Sequence, residues 1–319
     1  MRIFDAQATR DALPFERLVA ALRAMFAAGC DVPPRHVHEI VTPGGDALVS
    51  LIMPAWTARH YGIKTINIAP GNAARGLPGL HAAYLLFDAV TGVPLALLDG
   101  SVITSRRTAA ASALAASWLA RDDAGHLLVV GAGAIARLLP AAYRTVRPIE
   151  HVTVWARRPD AAQALAAELR AQGFEAAAAT DLARAVATAD IVSCATLATE
   201  PIVRGRWLRP GSHLDLIGSF TPAMREADDA CFAGAALYVD TDEALQKSGE
   251  LLGPLSRGVF ERGNVRGTLA ALARGEVPGR RSRSERTVFK SVGTALEDLA
   301  AATLACDART IPGVRPEAG

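Results

Sequence analysis

HLLVVGAGAIA, residues 126–136, joins a short apolar run to the pattern G-x-G-x-x-A. A continuous apolar run bounded by glycine reads as a fully buried strand. Gly131 permits a tight turn, Gly133 lets the backbone approach a pyrophosphate, and Ala136 allows close packing of a following helix, which the sequence carries through Arg144 with its N-terminus toward the phosphates. By itself the motif also fits a purely structural glycine turn. Its context favours a dinucleotide site: a strand precedes it, a helix follows, and a second strand, HVTVW (151–155), ends where a ribose-reading residue belongs.

Outward from this motif, strands continue to alternate with alanine-rich helical sequence. DIVSCAT (190–196), HLDLIGS (213–219) and ALYVD (236–240) complete the pattern of a doubly wound parallel sheet. Upstream the pattern differs. A helix over Leu13–Gly29 is followed by HVHEIV, ALVSLIM, IKTINIA, HAAYLLFDAV and PLALLDG, separated by turn pairs such as Gly44-Gly45, Gly71-Asn72 and Thr91-Gly92. This predicts a mostly antiparallel sheet. The last helix, FKSVGTALEDLAAATLA, is read as amphipathic through Val292, Leu296, Leu299 and Leu304, packing back on the first domain. The expected fold class is α/β: a Rossmann domain over 113–289, inserted in an α+β substrate-binding and dimerisation domain formed by 1–112 and 290–319.

A chain of 319 residues suits about two domains. A formal net charge of +2 gives no global pull toward nucleic acid or an anionic membrane surface. Asp5, Arg10, Asp11 and Glu16 interrupt any apolar export signal near the start, and the most apolar stretch, around residues 126–140, is too short for the roughly 20 residues of a membrane span. The four cysteines, Cys30, Cys194, Cys231 and Cys306, make no C-x-x-C pair, so no zinc site or disulfide framework is indicated and a cytoplasmic location is expected. Small-molecule partners are expected, with no metal, nucleic acid or membrane.

Cofactor choice is read at the end of the second strand. An NAD enzyme usually places a carboxylate there for the ribose hydroxyls, whereas this chain has Ala156-Arg157-Arg158. Either arginine can pair with a 2′-phosphate, so NADP(H) is preferred; if both belong to a solvated loop, NAD(H) remains possible. Asp160, after Pro159, starts the next helix. The cofactor residues from spacing are Gly131, Gly133, Ala134, Ile135, Arg157 and Arg158. Thr196 joins them because ligands sit beyond the carboxyl ends of parallel strands.

Three basic residues of the first domain invite a second site: Arg35 in VPPRHV, Lys64 in GIKTINI and Arg107 in TSRRTAA. Period two places Lys64 on the face of Ile66 and Ile68, aiming an ammonium into apolar surroundings, where burial without a partner is costly. A bound carboxylate answers that cost, and arginine offers a two-pronged contact to the same group. The alternative is an edge lysine in solvent with arginines in surface pairs. His36, His38 and His213 are left unassigned.

VPPR, IMP (52–54), GIKTINI, the run from LLFDAVTG to TSRRTAA (85–110), GAGAIA, LIGSFTPAMREAD (216–228) and TVFKSVGTALEDLA (287–300), in this order, resemble the ornithine cyclodeaminase and mu-crystallin family nearly end to end. The resemblance implies a homodimer joined through the first domain and a substrate lying between domains. It also implies Arg35, Lys64 and Arg107 as substrate ligands and Ser291 as a cofactor residue, the latter otherwise read as a helix N-cap. The family includes ornithine cyclodeaminases, an alanine dehydrogenase type and reductases of cyclic ketimino acids. Where cyclodeaminases carry a catalytic aspartate, this chain has Phe220. Where they carry a glutamate before the L-M-P motif, it reads Ser50-Leu51-Ile52-Met53-Pro54. Both departures argue for the reductase branch. The expected reaction is NAD(P)H-dependent reduction of 1-pyrroline-2-carboxylate to L-proline or of 1-piperideine-2-carboxylate to L-pipecolate. Arg35 and Arg107 hold the carboxylate, and Lys64 is the candidate catalytic proton source. The alternatives are an ornithine cyclodeaminase, an amino-acid dehydrogenase acting with ammonia, and a non-catalytic protein that binds NADPH or another ligand.

Overall fold

The computed structural model describes residues 1–41 and 47–307; the Gly44-Gly45 turn lies outside them. The chain divides into two compact units, one of Met1–Arg107 with the segment from Ala295 onward, the other of Thr108–Thr294.

In the first unit β1 (Arg2–Phe4), β2 (His36–Val41), β3 (Ala47–Trp56), β4 (His60–Ile68), β5 (Leu80–Asp88) and β6 (Pro94–Asp99) form a sheet ordered β1-β6-β5-β4-β3-β2. Every pairing is antiparallel except β1 with β6. The register aligns Met53, Lys64, Tyr84 and Leu98 in one row across β3, β4, β5 and β6. The helix Phe15–Ala28 buries Phe15, Leu18, Val19, Leu22 and Phe26, the spacing of one helical face, and ends on Gly29 as its sequence predicts. The helix Ala295–Asp307 packs on that helix and on β3, β4 and β5.

This last helix corrects the sequence reading twice. It begins at Ala295, because Thr287–Lys290 is a strand, so Phe289 and Lys290 are extended. Nor is it amphipathic: residues 295–302 are all buried, Glu297 and Asp298 included. A helix buried all round has no solvent stripe to reveal its orientation.

In the second unit β7 (His126–Val130), β8 (His151–Trp155), β9 (Glu175–Ala178), β10 (Ile191–Cys194), β11 (His213–Leu216), β12 (Ala236–Val239), β13 (Val265–Thr268) and β14 (Thr287–Lys290) form an entirely parallel sheet in the order β13-β12-β14-β11-β10-β7-β8-β9. This is the Rossmann-type doubly wound sheet. Its order reverses between β7 and β10, and in such sheets ligands bind at that switch, beyond the carboxyl ends of the strands. β9, β13 and β14 carry no strand signal of their own in the sequence analysis; each has four residues. Leu128, Val130, Val192, Leu214, Leu216, Val239 and Val288 share one core cluster.

Candidate active site

The chain leaves β7 at Gly131, whose φ of +120° lies in the region reserved for glycine. A Cβ there would stand 2.6 Å from the carbonyl oxygen of Ala195. Two residues on, Gly133 is exposed, and a Cβ built on it meets nothing within 4 Å. The loop therefore has one glycine that the protein's own packing demands and one whose missing side chain leaves open space, as a cradle for pyrophosphate requires. Ala136 is fully buried, Ala134 is exposed and Ile135 half-buried. One expectation is corrected. Residues 134–138 form turns, with Leu139 N donating to the Ile135 carbonyl at 3.3 Å, and the regular helix spans only Leu139–Arg144.

Arg157 and Arg158 lie exposed at the carboxyl end of β8, directly before the helix Pro159–Ala171, with Asp160 in its first turn. No carboxylate occupies 156–158. Thr196 follows β10, and Ser291 follows β14, buried, its N–H donating to the Leu216 carbonyl at 3.2 Å. Ser291 does not adjoin the helix that begins at Ala295.

Beneath these strand ends lies a cluster that sequence reasoning missed: Asp215, Glu226, Asp240, Glu250 and Lys290, all buried. Glu226 accepts from Thr196 N (2.7 Å), Thr196 Oγ1 (2.8 Å) and Gly218 N (2.7 Å), so it clamps the backbone where β10 and β11 end. Glu250 holds the N–H groups of Glu226 and Ala227 at 2.7 and 2.9 Å. Asp240 accepts from Val292 N and Gly293 N at 2.7 and 2.6 Å. Lys290 Nζ donates to the Leu216 carbonyl at 2.9 Å and supplies the positive charge among these acids. The sequence signal was slight, since only Lys290 in TVFKSV stands among apolar neighbours while Glu226 lies in the charged run READD. Their meeting depends on strand order.

Burial raises the Asp215 carboxyl to about 6 and the Glu250 carboxyl to about 7, against hydrogen bonds and the Lys290 charge that pull each down. Their folded values exceed the ordinary 3.8 and 4.5, so the folded chain binds these protons more tightly than the unfolded one. The stability they contribute is complete below about pH 4 and is lost as pH rises through 6 and 7. Melting temperature is expected to fall across that window, and Glu250→Gln to flatten the fall between pH 5 and 7. An unchanged slope in the variant would refute the assignment.

In the first unit, Lys64 is fully buried on the same face as Gly62 and Ile66, as strand alternation predicts. Its partner comes from within the chain. Nζ lies 2.5 Å from Asp298 Oδ2, an ion pair whose angle falls outside hydrogen-bond geometry, and neither atom has a hydrogen bond among the described residues. Arg107, also buried, donates Nε to Asp298 Oδ1 at 3.0 Å and Nη1 to Glu297 Oε2 at 2.5 Å. Burial brings the Lys64 ammonium down to about 8; Asp298 opposes the shift and Arg107 adds to it. Tyr84, beside Lys64 in the sheet, keeps its phenol protonated through burial and the nearby Asp298 charge. Lys64 and Arg107 are thus brought together on one carboxylate. Arg35 sits half-buried just before β2, one residue from His36, which pairs with Ile52 next to the Met53–Lys64 row. Glu297 and Asp298 are the residues that the sequence analysis overlooked in this unit.

The loop after β11 carries Phe220, 47% exposed. Among the described residues no group of His, Cys, Asp and Glu could hold a metal ion.

Residues 11–310 match the ornithine cyclodeaminase/mu-crystallin family. The chain belongs to that family. Within it, the chain is 49% identical over 241 residues to a Delta(1)-pyrroline-2-carboxylate reductase of Paracoccus denitrificans strain Pd 1222, covering 75% of this chain and 76% of that one. The Delta(1)-pyrroline-2-carboxylate reductase of Thermococcus litoralis, solved in complex with NADH and L-proline, superposes with a TM-score of 0.90 at 32% identity, with 97% of each chain covered. An archaeal alanine dehydrogenase dimer with bound NAD gives 0.88 at 28% identity, over 97% of this chain and 95% of that one. The family resemblance read from the motifs is therefore correct.

Proposed function

We propose that this chain is an NAD(P)H-dependent reductase of cyclic ketimino acids, converting 1-pyrroline-2-carboxylate to L-proline and 1-piperideine-2-carboxylate to L-pipecolate. The observation that carries the reading against a cyclodeaminase is the loop at 217–223. It holds Phe220 and no acid, and the carboxylates that flank it are both buried and engaged, Asp215 by the hydroxyls of Ser112, Tyr143 and Ser193 and Glu226 by the N–H groups of Thr196 and Gly218. No acid of that loop is therefore available to handle water or an amine. Reduction of an imine asks less: an anchored carboxylate, one hydride and one proton. The reductases among its relatives support the same branch.

A bound nicotinamide cofactor supplies the hydride. Gly133 gives the pyrophosphate access to the backbone, Gly131 sets the turn, and Ala134, Ile135, Thr196 and Ser291 border the cofactor. Arg157 and Arg158 receive a 2′-phosphate, which makes NADPH the preferred donor. Arg35 and Arg107 hold the substrate carboxylate. Lys64, lowered toward neutrality, adds positive charge and delivers the proton to the ring nitrogen. The 1–112 plus 290–319 and 113–289 division is the functional one in this reading. A homodimer through the first domain is favoured by β2, an edge strand exposed along its whole length with Val37, Ile40 and Val41 uncovered. Four free thiols suit the cytoplasm, and among the described residues no helix is long and apolar enough to cross a membrane.

The test follows nicotinamide absorbance with each cyclic imine and each cofactor, with ornithine plus NAD run in parallel for ammonia. Imine-dependent NADPH oxidation is expected. Ammonia from ornithine without net cofactor change would return the chain to the cyclodeaminases, and binding of NADPH without turnover would make it a binding protein. In the same assay Arg157→Ala with Arg158→Ala should raise the NADPH KM roughly tenfold, the loss of a charge-assisted contact. The NADH KM should stay put; equal effects on both would discard the 2′-phosphate role.

A further inference from the structure

Opposite the cofactor crevice, at the amino-terminal edge of the same parallel sheet, the second unit holds a cavity of about 430 Å³ lined by Arg121, Arg147, Arg280, Arg281 and Arg283, with Asp122 the one acid in its wall. We propose that this cavity binds a small, phosphate-bearing polyanion.

Three observations converge. First, the guanidinium groups outnumber their acids. Arg121 pairs with Asp123 and Asp190, and Arg283 also uses Asp123. Arg147 reaches Asp122 at 3.3 Å, but that carboxylate is fully exposed, and a pair so placed contributes little. Arg281 makes no side-chain hydrogen bond or ion pair among the described residues, only its backbone N–H reaching Glu285 at 2.7 Å. Second, the two inner arginines are held chiefly by neutral oxygens, carbonyls and one hydroxyl. Arg280 donates to Leu119 O (2.8 Å), Ser212 O (3.2 Å) and Thr287 Oγ1 (3.0 Å). Arg147 donates to Ser117 O and Ala120 O, both at 2.9 Å, and its buried Nε has no acceptor among the described residues. These bonds fix the guanidinium planes without neutralising them, which is how a preorganised anion site is built. Third, the uncompensated charge is felt locally. Burial and repulsion from Arg121 and Arg147 bring Arg280 down to about 10, against the pull of Glu285. The same two cations, Arg280 and Arg147, add to the burial that keeps His213 neutral.

The volume decides the class of ligand. It lies in the range of small-molecule pockets and exceeds what one monovalent ion fills. Several planar forks facing one space match phosphate oxygens best. The cavity lies at the other end of five-residue strands, roughly 15 Å from the glycine loop, so it is not the cofactor's own phosphate site.

The experiment titrates full-length protein, saturated with NADH, with inorganic pyrophosphate at constant ionic strength, by calorimetry and thermal shift. The double variant Arg281→Gln with Arg283→Gln is run beside it. These side chains are exposed, so the fold and the basal imine reduction should be unchanged. Saturable one-site binding that weakens at least tenfold in the variant is expected. Absence of saturable binding, or equal binding in the variant, would overturn the proposal. Arg281→Lys serves as a second variant: retained charge without the fork should recover part of the affinity, and full loss would count against a charge-based site.

Discussion

Replacing Asp298 by Ala is expected to lower the unfolding free energy by roughly 3–5 kcal/mol, the cost of breaking a buried ion pair on one side. One carboxylate here serves two buried cations, Lys64 Nζ at 2.5 Å and Arg107 Nε at 3.0 Å. Glu297 can continue to hold Arg107, but Lys64 has no other partner within the described residues and must be desolvated or deprotonated alone. Lys64→Met is expected to be far milder in denaturant, because Asp298 retains Arg107. In the reductase assay the order should reverse, with Lys64→Met lowering kcat/KM by about a hundredfold as a general acid's removal does. The declining limb of the kcat/KM against pH profile should fall near pH 8, where the buried ammonium loses its proton, and disappear in the variant. Undiminished turnover by Lys64→Met would leave the residue a purely electrostatic or structural role.

The second large effect separates two glycines of one motif. Gly131→Ala places a methyl group 2.6 Å from the Ala195 carbonyl at a φ of +120°, so backbone strain and overlap add, and a loss of roughly 2–4 kcal/mol is expected. Gly133→Ala meets no protein atom within 4 Å, so its melting temperature should match the parent. Its methyl group instead occupies the space left for phosphate, and dissociation of NADH, followed by fluorescence titration, should weaken at least tenfold, about 1.4 kcal/mol. If Gly133→Ala bound NADH as the parent does, the loop would not be the cradle. If it melted early, the packing account would fail.

These two results also mark how far one-dimensional information reached. The glycine motif was readable because every part of it is local: strand, turn and packing residue lie within eleven positions, and each residue type answers a backbone need. The burial of Lys64 was readable for the same reason, since strand alternation puts it on the face of Ile66 whatever the rest of the chain does. Family membership followed from an ordered series of such segments. Phe220 in place of an acid was likewise visible as a single letter.

What answers the Lys64 charge within the chain was not visible, since Asp298 stands 234 positions along it. Nothing in the local pattern around TALEDLA separates an exposed acidic pair from one buried against a sheet. Only packing on all sides removes the solvent face that an amphipathic reading assumed. The same holds for Lys290, taken as helical and found in a central strand, because four residues of a buried parallel strand have no period of their own to distinguish them. Its neighbours Asp215, Glu226, Asp240 and Glu250 come from separate strands, loops and a helix, and the parallel order β12-β14-β11-β10 brings together the strand ends around which they gather. By itself the sequence determined the glycine turn after β7, the family and the inward face of β4, since those depend on backbone geometry and near neighbours. Which charges neutralise one another was decided by tertiary structure, because a buried charge selects its partner by distance in space and not by separation along the chain.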